Sequence, residues 1–166
     1  MIRYFLLSLL IISSNCTYST KNQNGIIQEY YNRVFVISDN DDTYNLLEYI
    51  TSSNIKHEDI SDAINIFCEL CLASDGALAE MLSDYCIIML ERYPKQIISR
   101  MVDCNELLYS YGTLLASDFY YRDIDPTTPV FNNFFDKIKD GLNNENNLLL
   151  TFSKFEKYVI LILREQ

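Results

Sequence analysis

Near the C-terminus the apolar residues Leu148, Phe152, Phe155, Val159 and Ile162 recur in steps of four, three, four and three. An α-helix turns once in 3.6 residues, so these steps lay one continuous stripe along a helix face; a half-buried strand would alternate by two. The same rhythm recurs upstream in Ile60, Ile64, Phe67 and Cys71, in Leu78, Leu82, Tyr85 and Met89, and in Leu108, Tyr111, Leu115 and Phe119. With four Gly and three Pro in 166 residues, the chain lacks the tight-turn residues that a sandwich or barrel consumes. The fold class expected is all-α.

Local signals divide the chain into helices. Ile26, Ile27, Tyr30, Tyr31 and Val34 predict a first helix over residues 25–37, which SDNDD stops. An Asp of that run is expected to cap a second helix over 43–52, with Tyr44, Leu47 and Ile50 inward. Glu58, Asp59 and Asp62 crowd the start of the third, where the helix dipole favours acids. In the fourth, after Asp75 and Gly76, Met81, Ile88 and Leu90 widen the stripe of Leu78, Leu82, Tyr85 and Met89. Pro94 halts that helix and suits the first turn of the next, so the YPKQ junction reads as a tight corner. A helix from Asn105 contains Gly112 at a cost in stability, RDIDPTTP is the one long loop, and Thr128 followed by Pro129 starts a helix that Gly141 is expected to stop.

Short connections favour antiparallel neighbours, so about six to eight helices should form successive hairpins in a compact bundle. The long helix, Pro corner and shorter helix around Pro94 also resemble a HEAT repeat, which makes a short helical-repeat stack the alternative. No sequence period carries from pair to pair, and that favours the compact bundle.

The first sixteen residues, MIRYFLLSLLIISSNC, bear on location. Arg3 is followed by an apolar run from Tyr4 to Ile12 and then by small polar residues, the three parts of a secretory signal. At 1.5 Å per residue the run covers roughly half of a hydrocarbon core of about 30 Å, which suits a translocation channel better than a permanent span. With Cys16 just past the apolar core, the segment resembles the signal peptide of a bacterial lipoprotein, in which that cysteine is lipid-modified and becomes the mature N-terminus. Ser13 and Asn15 depart from the residues usual at those places, and ordinary cleavage nearby is the rival. The resemblance covers residues 1–16 alone and implies a signal over 1–15, lipidation at Cys16 and a tether over 16–25; length and helical periodicity make 26–166 one helical domain. The resemblance also implies delivery to the periplasm or cell envelope, with Thr17 compatible with the outer membrane. Membrane attachment would come only through the signal or a lipid on Cys16.

Thirteen basic residues stand against 23 acidic ones, a net charge of −10. Nucleic-acid binding draws on a basic stripe that releases counterions, so this balance argues against it; the sign suits a basic protein partner, while solubility is the plainer explanation of the charge. Asp39, Asp41 and Asp42 fail as a calcium loop, because the places for Gly and Glu hold Tyr44 and Ile50. Cys68 and Cys71 could form a redox pair or half a zinc site, but mid-helix placement reads as buried apolar packing, and export would make disulfides among Cys68, Cys71, Cys86 and Cys104 the alternative. His57, the one histidine, has no nucleophile motif to serve.

No catalytic, metal or cofactor motif emerges. Aromatics run into the long loop at Phe119, Tyr120, Tyr121, Arg122, Asp123 and Asp125, the stretch expected to meet a partner. The functional expectation is an exported, non-enzymatic protein-interaction domain, such as an inhibitor or immunity protein. The alternative is a hydrolytic enzyme with paired carboxylates in a cleft between helices.

Overall fold

The structure, a computed structural model, describes residues 25–34, 36–143 and 145–166. The expected signal over 1–15, Cys16 and the tether up to residue 24 lie outside the described residues. Within them the chain forms eight α-helices and no strand: α1 (Ile26–Tyr31), α2 (Asp41–Ile50), α3 (Ile60–Ala73), α4 (Gly76–Arg92), α5 (Pro94–Asp103), α6 (Asn105–Tyr121), α7 (Pro129–Gly141) and α8 (Asn146–Glu165). A 3-10 turn, His57–Asp59, leads into α3. The all-α expectation holds. None of the described helices is long and apolar enough to cross a membrane.

Nine of the seventeen residues of α6 are buried, more than contact with one neighbour could cover. It touches α3, α4, α5 and α8, so the bundle closes around it. In a linear stack each hairpin would meet only the next one. Here α6 gathers helices from both sides of the sequence, and that arrangement is the compact bundle.

Gly112 is the reason α6 and α8 come so close. A Cβ on Gly112 would sit 2.7 Å from Cδ1 of Tyr158 on α8, so the absent side chain makes room for a ring. The expected cost of a mid-helix glycine is therefore offset by packing.

The corner at Pro94 forms as expected, with Pro94 in the first turn of α5. Tyr93 serves both helices: its N–H donates to the Met89 carbonyl at 2.9 Å, and its carbonyl accepts from the N–H of Ile97 at 3.0 Å. Arg92 reaches away to donate through Nη1 to the carbonyls of Thr51 and Ser52, at 2.5 and 2.7 Å. Thr51 is the C-cap of α2 and Ser52 follows it, so a cation sits at the negative end of a helix.

Four local expectations need correction. The first helix ends at Tyr31, because Arg33 adopts φ 54° and the N–H groups of Arg33 and Val34 turn back to the carbonyls of Tyr30 and Glu29. The cap of α2 is Asn40 rather than an Asp; its Oδ1 accepts from the N–H of Thr43 at 2.9 Å. Tyr44 is 50% exposed, since α2 buries Thr43, Leu46, Leu47, Tyr49 and Ile50. Ile88 is exposed, while Leu82, Cys86, Met89 and Leu90 take the core side of α4. Gly141 is the last residue of α7, as expected, but the left-handed position after the helix falls on Asn143, at φ 52°. Gly141 also lets α7 approach the corner, where its Cβ would lie 2.7 Å from Cγ of Pro94.

Candidate functional site

The apolar stripe of α6 runs to the helix end, and this separates the members of the expected partner stretch. Phe119 is 1% exposed and faces the rings of Phe131, Phe134 and Phe135 on α7, with centroids 5.5, 5.4 and 6.2 Å away. Buried this far, Phe119 presents almost no surface of its own and anchors its neighbours. The next two residues turn outward, Tyr120 at 52% and Tyr121 at 73% exposed, with their rings edge to face at 6.0 Å. Arg122, Asp123 and Asp125 are exposed beside them.

The loop that follows is held by its own hydrogen bonds. Asp123 takes φ 55°, and the N–H groups of Asp123 and Ile124 return to the carbonyls of Tyr120 and Phe119, at 3.1 and 2.8 Å. Two steps on, Oδ1 of Asp125 accepts from the N–H and hydroxyl of Thr127, at 2.7 and 2.6 Å. Those bonds favour the anion and lower the Asp125 pKa below the usual carboxylate range. Thr128 then caps α7, its hydroxyl accepting from the N–H of Phe131 at 3.4 Å and donating to the Asp125 carbonyl at 2.7 Å.

Asp118 belongs to this site and was missed by sequence reasoning. Its side chain is buried at 2% exposure, and Nε of Arg122 donates to its Oδ1 at 2.7 Å. Oδ2 is buried without a hydrogen-bond partner among the described residues. Loss of water raises the Asp118 pKa, the bond and charge of Arg122 oppose the rise, and the charge of Asp84 adds to it. Arg122 is thereby tied back to the helix that carries the two tyrosines. The i, i+4 spacing of Asp118 and Arg122 was legible, but nothing in the spacing distinguishes a buried pair from a solvated one.

Two recesses flank the loop, and Ile124 lines both. One, about 260 Å³, is bounded by Tyr120, Asp123, Asp125, Pro126 and Leu163. The other, about 370 Å³, has Phe119, Phe134, Ile87 and Val130 for its apolar wall. Glu91 and Lys137 sit at its edge as an ion pair of 3.0 Å. The arrangement presents aromatic and acidic side chains on a braced loop beside shallow apolar hollows.

The other candidate chemistries fall elsewhere. Cys68, Cys71 and Cys86 are buried and Cys104 is half-buried, all as free thiols. Burial, chiefly, pushes the Cys68 thiol up to about 12, so it stays protonated and weakly nucleophilic at neutral pH. Among the described residues no group of three or more His, Cys, Asp or Glu side chains is placed to hold a metal ion. Among the described residues, burial raises the pKa of the Asp118 and Glu156 carboxyls, and neither lines the two recesses beside the loop.

His57 is exposed on the 3-10 turn, at the rim of a larger recess of about 550 Å³ between α3 and α5. No protein family, curated protein or solved structure matches the chain.

Proposed function

We propose that this chain is an exported, non-enzymatic protein-interaction domain that engages a basic protein partner through the end of α6 and the loop after it. The reading rests on one observation above all: Phe119 is locked into the aromatic core, while Tyr120 and Tyr121 stand out on the same turn. Tyrosine offers a large amphipathic surface with few rotatable bonds, and a helix end already held in place costs little further entropy on binding. The acidic neighbours Asp123 and Asp125 and the net charge of −10 steer a cationic surface toward it. An inhibitor or immunity protein that masks a basic toxin or hydrolase has this chemistry. Lipidation at Cys16 would hold the domain at a membrane surface.

The test is capture with the full tagged chain, cross-linked in its own cell, in parallel with the double variant Tyr120→Ala/Tyr121→Ala. One basic protein retained by the native chain should be lost from the variant, with affinity weakened by about 30-fold or more if both rings act as binding anchors. Its association rate should fall as salt rises. Identical captured proteins from the two chains would overturn the assignment of this surface. The address is tested separately: Cys16→Ala should abolish incorporation of labelled fatty acid, and a mature protein that still begins at Met1 would refute export through this signal.

A further inference from the structure

The recess between α3 and α5 has a composition unlike the rest of this acidic surface. Its volume of about 550 Å³ lies in the range that accommodates a small organic molecule. Ile60, Ile64 and the mostly buried Tyr93 supply apolar lining, and Ser61 and Ser99 supply hydroxyls. One full positive charge, Arg100, lines it in a protein of net charge −10.

Arg100 is oriented without being neutralised. Its Nη2 donates to Oδ1 of Asn65 on α3, an uncharged acceptor, and among the described residues it forms no ion pair. Asn65 thus steadies the guanidinium across the gap and leaves most of its N–H donors and all of its charge available. Asp103 lines the same recess without pairing to Arg100. Its presence, with the acidic whole, disfavours a multiply charged anion and favours a single charge. A second recess of about 380 Å³ shares Arg100 and Asp103 and continues along α3 to Cys68 and Leu72.

We infer that this groove is a binding site for a small organic monocarboxylate with an apolar body, its carboxylate on Arg100 and its body along Ile60 and Ile64. The planar fork of a guanidinium matches a carboxylate in shape as well as charge. This site is distinct from the α6 loop, and its occupancy does not depend on the proposed protein partner.

The test titrates the full chain with hexanoate, hexanamide and inorganic phosphate while the amide resonances of Ile60, Ile64 and Ser99 are followed. Hexanoate should give saturable shifts, with hexanamide and phosphate each binding at least about tenfold more weakly, the scale of one lost charge-assisted contact. Arg100→Gln should weaken hexanoate by a similar factor. Ser61→Phe, at an exposed position, should fill the recess and remove binding while the thermal midpoint of the chain stays in place. Equal affinity for hexanoate and hexanamide, equal affinity for phosphate, an unchanged affinity in Arg100→Gln, or no saturation by hexanoate would each overturn the inference.

Discussion

The contact of α6 with α8 and the attachment of α1 both use tyrosines, in opposite ways. At the α6–α8 contact the rings go inside or into close contact: Tyr111 lies 6.1 Å from Phe155 and Tyr109 lies 4.9 Å from Tyr158, both edge to face. The Tyr111 hydroxyl is buried and donates to the Cys86 carbonyl at 2.7 Å, so ring and hydroxyl are both satisfied without water. In α1 only Ile26 is buried. That helix reaches α3 through its hydroxyls, Tyr30 donating to Glu69 at 2.9 Å and Tyr31 to Asp62 at 3.1 Å, both in exposed settings. Burying a ring removes apolar area from water at about 25 cal/mol per Å², whereas an exposed hydrogen bond exchanges one partner for another at little net gain. The centre should therefore resist substitution poorly and the edge should tolerate it.

The largest effect expected is for Phe155→Ala. Phe155 is fully buried between Tyr111 and Phe135, and its loss should cost about 3–5 kcal/mol in denaturant unfolding. A loss below about 1 kcal/mol would mean that the α6–α8 contact does not carry the fold.

Next comes Gly112→Ala, which should destabilise by about 1–3 kcal/mol through the clash with Tyr158. The same change in a Tyr158→Ala background should become neutral or favourable, because alanine is the better helix former by about 1 kcal/mol. Equal costs in the two backgrounds would show that the ring is not what requires the glycine.

The smallest effect belongs to the edge. Tyr30→Phe and Tyr31→Phe should each change stability by no more than about 0.5 kcal/mol near neutral pH. Alkaline titration sharpens the contrast. Burial, then the hydrogen bond and charge of Asp62, pushes the Tyr31 phenol up to about 12 from an ordinary 10.0. Its proton is held more tightly in the folded chain than in the unfolded one. The resulting contribution is complete below the unfolded value and declines as pH rises through the folded value. Tyr30, Tyr49, Tyr85 and Tyr111 are raised too, so tyrosinate absorbance should show one late phenol fewer in Tyr31→Phe, and ionisation of Tyr31 near its ordinary value in the intact fold would break the comparison.

Much of the helix plan was legible because stripe positions such as Phe67, Met89, Leu115 and Phe155 obey one local periodicity. Boundaries were less so. Arg33 and Asn143 occupy left-handed positions that composition would assign to glycine, while Gly141 is needed for the close approach of Pro94. The candidate site was half legible. Periodicity already placed Phe119 on the stripe with Leu108, Tyr111 and Leu115, so its burial could have been anticipated. The burial of Asp118 could not, since it depends on what covers the helix. Arg100 gave no signal, because Asn65 lies 35 positions away in sequence and only the crossing of α3 and α5 brings them together.

By itself the sequence determined that the chain is helical, where most apolar stripes run and that its charge is acidic, since these follow from local periodicity and residue count. Tertiary structure decided that α6 is central, that Gly112 admits a ring, and that Tyr120 and Arg100 lie beside recesses. The reason is physical: periodicity defines a face, but which helix covers that face depends on contacts between residues far apart in the chain.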